Sequence, residues 1–198
     1  MKLSNLILLS IVTIAFFYIY LWDNNTVAPL YLIFLLVCYI YNTYTKDVNS
    51  SHITLFILLM TLAEYIVFIS GLLSLEVTDE NRKYQGALIF GTQVLFSIMT
   101  FFILIFRVQI SRMISNSKKI KLTNFDGLFH WLFLYSGVIA FLALIEHLAR
   151  HLLGLRSITI IYDSYEALVY IAWALNSGLL LSMMIISTKN AQEPHLSN

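Results

Sequence analysis

Four polar side chains stand within six positions near the end of a long apolar run: Glu146, His147, Arg150 and His151. The two histidines are four residues apart, as are the glutamate and the arginine, so each pair lies on one face of a helix. Such a cluster can sense pH, because histidine changes charge near neutral pH, and it can begin a metal site. We interpret it as the polar end of a membrane helix, with pH sensing as the alternative.

A zinc site at this cluster would need a third ligand, for which Asp163 and Glu166 are the available candidates. The order E-H-x-x-x-H differs from the HExxH of metalloproteases. His130 lies too far along the same helix to reach the two histidines. The sequence also lacks a phosphate-binding glycine loop, a CxxC pair and a GxSxG serine. We therefore predict no metal, no cofactor and no enzymatic activity.

A second group of polar residues lies where a lipid-embedded chain rarely has any. Glu64 falls near the middle of one apolar stretch, and Gln93 and Asn176 fall inside two others. An ionisable side chain at membrane depth must be protonated, paired or in contact with water. These three residues are the candidates for an ion or proton pathway. The alternative is a protonated Glu64 that donates one interhelical hydrogen bond and helps the helices to assemble.

The composition shows which elements must position these residues. Hydrophobic residues make up 59% of the 198 positions and charged residues only 12%, whereas soluble domains carry about 25% charged residues. A helix needs about 20 apolar residues to cross a bilayer, and six stretches qualify: 3–22, 27–45, 53–75, 86–106, 128–149 and 166–187. We predict an all-α, polytopic transmembrane bundle over residues 1–188, with about six spans (four or five are possible), and a disordered tail over residues 189–198.

Lysine and arginine predict the orientation of this bundle. With the N-terminus inside, eight of the twelve basic residues lie on the cytoplasmic side and four on the outer side. Both termini are therefore predicted to be cytoplasmic, and the histidine pair faces outward. The net charge of +1 gives no reason to expect direct binding of nucleic acid.

The largest predicted cytoplasmic segment is the basic loop 107–127, whose first part, 107–121, is predicted to continue the fourth helix. Apolar residues alternate there with four basic ones: Arg112, Lys118, Lys119 and Lys121. Such a segment can bind anionic membrane lipids or an acidic protein partner, although an ordinary positive-inside anchor is the simpler interpretation. Small residues in the fourth, fifth and sixth spans also allow close packing, within one chain or in a homo-oligomer.

The chain resembles the KwaA family, the membrane component of the two-gene Kiwa anti-phage system. The resemblance lies in its length, its opening "MKLSNLILLSIVTIAFF", its several spans and its basic stretch "SRMISNSKKIKL". It implies an oligomeric protein of the bacterial inner membrane that acts as anchor and sensor for a cytoplasmic, KwaB-like partner. The alternative function, taken from the residues themselves, is a small oligomeric ion or proton channel or transporter that uses Glu64.

Overall fold

The structure is a computed structural model that describes residues 24–71, 82–155 and 159–192. Every regular element in these ranges is a helix: α1 Asn24–Tyr44, α2 Val48–Ile69, α3 Arg82–Ile105, α4 Arg107–Ile114, α5 Asp126–Leu152 and α6 Ile160–Gln192. By length and composition, all of them except α4 can cross a membrane. The predicted all-α polytopic bundle is therefore confirmed. The first predicted span, 3–22, lies outside the described residues, as does the predicted tail beyond Gln192.

Consecutive long helices run in opposite directions, so the bundle has two ends. One end carries the turn between α1 and α2 and the segment 106–125, and we call it the basic end. The other carries the end of α5 and the start of α6, and we call it the histidine end. The most extensive contact joins α3 to α5, followed by the contacts of α5 with α6 and of α1 with α2. Helices α1 and α2 form a hairpin that turns at Lys46, which has a left-handed φ of 57°.

A capping carboxylate sets the start of α2. Asp47 accepts hydrogen bonds from the backbone N–H groups of Asn49 and Ser50, so the helix begins five residues before the predicted span. Partial burial raises the pKa of Asp47, but hydrogen bonds from the Ser187 and Ser50 hydroxyls and from the two backbone amides outweigh that effect. The net result is a pKa below the usual value, so the capping side chain is held in its charged form.

The helix that was predicted to continue the fourth span up to residue 121 ends at Ile114. The helix breaks at Phe106, which has φ −88° and ψ 12°, and resumes as α4. Backbone hydrogen bonds from Phe106 N–H to Phe102 O and from Ile110 N–H to Phe106 O cross the break. The prediction of a helix up to residue 121 was wrong, because Ser115 is extended and the chain from there to Phe125 forms turns and irregular structure.

An apolar core fills the half of the bundle nearest the basic end. It is formed by buried side chains of α1, α2, α3, α5 and α6: Tyr31, Leu35, Ile53, Ile57, Leu104, Phe129, Leu180 and Met183. The outside of the bundle is apolar as well, and the side chains of Ile33, Val37 and Leu59 are each more than half exposed. Helices that are apolar on every side are typical of membrane spans, since both neighbouring helices and lipid accept such surfaces.

Candidate functional site

A cavity of about 70 Å³ lies in the middle of the bundle and brings together the three residues predicted for an ion pathway: Glu64 of α2, Gln93 of α3 and Asn176 of α6. Further polar side chains complete its lining: Tyr31, Thr61, Ser97, Thr100, Ser136 and Tyr165. We call it the central cavity. A cavity needs about 10–15 Å³ of such volume to hold one water molecule, so this one fits a few waters or one small ion.

Asn176, one of the residues that line the central cavity, has an unused acceptor. The residue is only 3% exposed, and its Nδ2 donates a hydrogen bond to the Tyr31 hydroxyl. The Tyr31 ring is itself fixed by stacking on Trp173, with the two ring centroids 4.7 Å apart. The Asn176 Oδ1 atom is buried and has no hydrogen-bond partner in the described part of the chain. A buried acceptor of this kind costs about 1–3 kcal/mol, so it favours a ligand that donates to it or coordinates it.

Glu64 is half-buried and lines the same cavity. Within the described ranges, no hydrogen bond or ion pair joins its carboxyl group to another residue. The two side-chain amides of the lining bond elsewhere: Gln93 Oε1 accepts from the Tyr165 hydroxyl at 2.6 Å, and Asn176 Nδ2 donates to the Tyr31 hydroxyl. Neither amide is hydrogen-bonded to Glu64 in the structure, and the interhelical hydrogen bond that was the alternative role of Glu64 stays a prediction.

Two hydroxyl groups of the central cavity are oriented as acceptors. Thr100 Oγ1 donates to Phe96 O at 2.7 Å, and Ser136 Oγ donates to Leu132 O at 3.1 Å. Because each hydroxyl has only one hydrogen to donate, their remaining lone pairs can only accept. Together with the Asn176 carbonyl oxygen and the Glu64 carboxyl group, they supply the lining of the cavity with several acceptor oxygens. Such a lining suits a positively charged or proton-donating ligand.

A larger cavity of about 850 Å³ opens at the histidine end between α3, α5 and α6. We call it the vestibule. It shares four lining residues with the central cavity: Gln93, Tyr165, Val169 and Trp173. The hydrogen bond from Tyr165 to Gln93 therefore lies at the boundary between the two cavities. This hydrogen bond interrupts a route from the histidine end to Glu64. On the other side of Glu64, the apolar core separates it from the basic end.

The predicted outer cluster divides into two parts in the structure. Glu146 is buried, and its Oε2 accepts the backbone N–H of Ile161 at 2.9 Å, so it caps the start of α6 from the neighbouring helix. The guanidinium of Arg150 lies 3.9 Å from the other Glu146 oxygen and 4.6 Å from the centroid of the Tyr162 ring. These contacts place α6 against α5 and explain why α6 begins six residues before the predicted span.

The two histidines form the second part. Their ring centroids are 4.6 Å apart, and the His147 ring is 6.0 Å from that of Phe90. His147 also packs directly on Gly86 of α3, where a Cβ atom would stand 2.1 Å from its Cε1. Only glycine leaves room for the imidazole at that position. In the described ranges no group of three His, Cys, Asp or Glu side chains is placed to hold a metal ion. The histidine pair therefore has no third ligand of these types among the described residues.

Arg107 is a site residue that the sequence analysis missed, because it counted only as one of the cytoplasmic charges. Its side chain is fully buried, and its Nε and Nη2 atoms donate to the two carboxylate oxygens of Asp126. Nη2 also donates to Lys121 O at 2.7 Å, and Nη1 donates to Asn49 Oδ1 at 3.3 Å. We call this arrangement the arginine clamp. It joins α2, α4, α5 and the irregular segment at the basic end.

The remaining basic residues of the loop stay exposed. The backbone on which the lysines stand is fixed to α2, since Asn49 Nδ2 donates to Lys119 O at 3.1 Å and Lys121 N–H donates to Asn49 Oδ1 at 3.0 Å. The exposed basic side chains are Arg112, Lys118, Lys119 and Lys121. Four positive charges therefore project from an ordered surface at the basic end.

The chain matches no protein-family model, no curated protein and no solved structure. The polar side chains that could carry a function line the two cavities and cover the basic end.

Proposed function

We propose that this multi-pass membrane protein is a small channel or transporter that binds a proton or a small monovalent cation at Glu64. The observation that carries the proposal is the pairing of two unsatisfied groups, the Glu64 carboxyl and the buried Asn176 Oδ1, in the lining of one cavity in the middle of the bundle. An ionisable residue at membrane depth is expensive to maintain, and such residues mark ion and proton pathways.

The chemistry of the central cavity favours these ligands over others. Hard cations prefer oxygen ligands, and carboxylate, amide and hydroxyl oxygens all line this cavity. Either a proton or a cation neutralises Glu64 and so removes the cost of a charge at this depth. The volume of about 70 Å³ excludes larger solutes.

The path to Glu64 begins at the vestibule, which the predicted orientation places on the outer side. Entry requires the Tyr165 side chain to release Gln93, because their hydrogen bond lies between the two cavities. Exit toward the basic end requires rearrangement of the apolar core around Ile57, Leu104 and Phe129. The arrangement supports a protein that is closed on both sides of Glu64 and opens them by separate movements.

Flux through reconstituted protein tests the proposal. Purified protein in liposomes should dissipate a gradient of protons, Na⁺ or K⁺, and Glu64→Gln should reduce the flux to the level of empty liposomes. Glu64→Asp should restore part of it, since the carboxyl group is kept. Tyr65→Phe is the control, because this neighbour of Glu64 on α2 lines neither cavity. Unchanged flux in Glu64→Gln would remove Glu64 from the pathway, and no flux in the unaltered protein would overturn the proposed function.

The exposed charges at the basic end favour a second candidate function. Arg112 and the three lysines present a positive surface whose backbone is held in place by Asn49. An acidic cytoplasmic protein would dock there, and the chain would act as its membrane anchor and sensor, as the resemblance to the KwaA family suggests for anti-phage defence. Co-purification from the native host tests it. A partner retained undiminished by the triple variant Lys118→Ala, Lys119→Ala, Lys121→Ala would contradict docking at this surface.

A further inference from the structure

The vestibule has the size and walls of a site for an organic molecule. Small-molecule pockets measure about 300–1,000 Å³, and the vestibule measures about 850 Å³. Its lining includes five large aromatic side chains: Phe90, Tyr162, Tyr165, Tyr170 and Trp173. Phe90 meets Tyr165 edge-on at 5.0 Å and Tyr162 edge-on at 6.1 Å between ring centroids, so part of this wall is one packed cluster. Aromatic walls of this kind bind apolar groups and organic cations.

One cation already lies against this wall. The guanidinium carbon of Arg150 is 4.6 Å from the centroid of the Tyr162 ring, within the range of a cation–π interaction. The charge of Arg150 is opposed by Glu146 at 3.9 Å. The contact of Arg150 with Tyr162 thus shows that this aromatic surface accepts a positively charged group.

The charge of the vestibule also favours a cation. Asp163 and Glu166 both line it and are exposed, and neither forms an ion pair with another residue in the described ranges. Arg150 is the only lysine or arginine in its lining, as far as the chain is described, and Glu146 lies beside it. The two carboxylates of the lining therefore outnumber its one guanidinium. Carboxylates beside aromatic rings attract positively charged organic groups.

We propose that the vestibule binds an organic ammonium cation, with its apolar substituents against the aromatic cluster and its charge near Asp163 and Glu166. The ligand is larger than the central cavity admits, so it is a molecule distinct from the ion at Glu64. This proposal extends the proposed function, in which the vestibule is the outer mouth of the pathway, but the binding itself does not depend on conduction.

Binding to the purified protein in detergent tests this site. Tetraethylammonium and choline are the probes, and 3,3-dimethyl-1-butanol, the uncharged isostere of choline, is the matched control ligand. Titration calorimetry should detect both cations and should detect no binding of the alcohol. The double variant Asp163→Asn, Glu166→Gln should weaken cation binding by about tenfold, because two negative charges of the lining are lost. Tyr162→Ala should weaken it by about threefold, whereas Tyr84→Ala, exposed at the same end but outside the vestibule, should not.

Two results would overturn the proposal. One is the absence of cation binding to the unaltered protein, and the other is equal affinity for choline and its uncharged isostere. Neither result bears on ion flux, which is measured in liposomes without organic cations. Loss of flux in Glu64→Gln together with no organic-cation binding would leave the proposed function in place and remove only the vestibule site. Organic-cation binding without ion flux would keep the vestibule site and overturn the proposed function.

Discussion

The arginine clamp should contribute more to stability than any other polar contact at the basic end. Arg107→Met keeps much of the side-chain volume but removes the charge and all four hydrogen bonds. Asp126 is 6% exposed, so its carboxylate would be left buried without its partner. Removing one member of a buried ion pair typically costs about 3–5 kcal/mol. We expect the lower part of this range, because Asp126 would still accept hydrogen bonds from the Thr123 N–H at 2.6 Å and hydroxyl at 2.8 Å.

Unfolding of the purified protein in mixed micelles, as the fraction of denaturing detergent is raised, measures this cost. Arg112→Met is the matched control, because this arginine also lies on α4 but is exposed and makes one long hydrogen bond of 3.4 Å to Ile120 O. Its loss should cost less than about 1 kcal/mol. Arg107→Lys should remain destabilising, since an ammonium group cannot form the two-pronged contact with a carboxylate. The combination of Arg107→Met with Asp126→Asn should cost less than the sum of the two single changes. Equal losses in the two methionine variants would refute the reasoning.

Two further predictions concern single contacts. Asp47→Asn should lower the thermal stability of the detergent-solubilised protein at neutral pH and flatten its dependence on acid. The hydrogen bonds hold the pKa of Asp47 below its usual value, so its contribution is present above the ordinary aspartate pKa near 4 and is lost as the pH falls through the lowered one. Identical slopes of melting temperature between neutral and acidic pH in both proteins would contradict this. Gly86→Ala should cost about 1–3 kcal/mol, because the added methyl group would overlap the His147 ring. Gly91→Ala, which has no atom within 4 Å of the added group, is the control and should cause no loss of stability, since alanine is favoured over glycine within a helix.

Hydropathy predicted the long helices because a membrane span needs a minimum number of apolar residues and few charges. It also placed Glu64, Gln93 and Asn176 at similar depths in their spans, and the structure brings them to one cavity. Tyr31 and Tyr165 were missed, because a tyrosine in an apolar run does not differ in sequence from one that packs or lies at an interface.

Contacts between residues of different helices were not indicated by any pattern in the sequence. Arg107 was counted as a topology charge, since its pairing with Asp126 depends on how the irregular segment between them returns. The start of α6 was placed too late because its cap is supplied by Glu146 of another helix. A sequence pattern reports the periodicity of one element, whereas these contacts depend on the arrangement of two or three.

Although the helix breaks at Phe106, backbone hydrogen bonds across the break couple α3 to α4. Gln93 lies fourteen residues before Arg107, about 21 Å along a helix, and the backbone hydrogen bonds of Phe106 and Ile110 bridge the break. A rotation of α3 that separates Gln93 from Tyr165 therefore applies torque to Arg107. Since Arg107 is bound to α2, α5 and the segment before α5, it resists that torque. Strain from such a rotation would therefore reach the far end of the molecule, beside the surface that carries the exposed lysines.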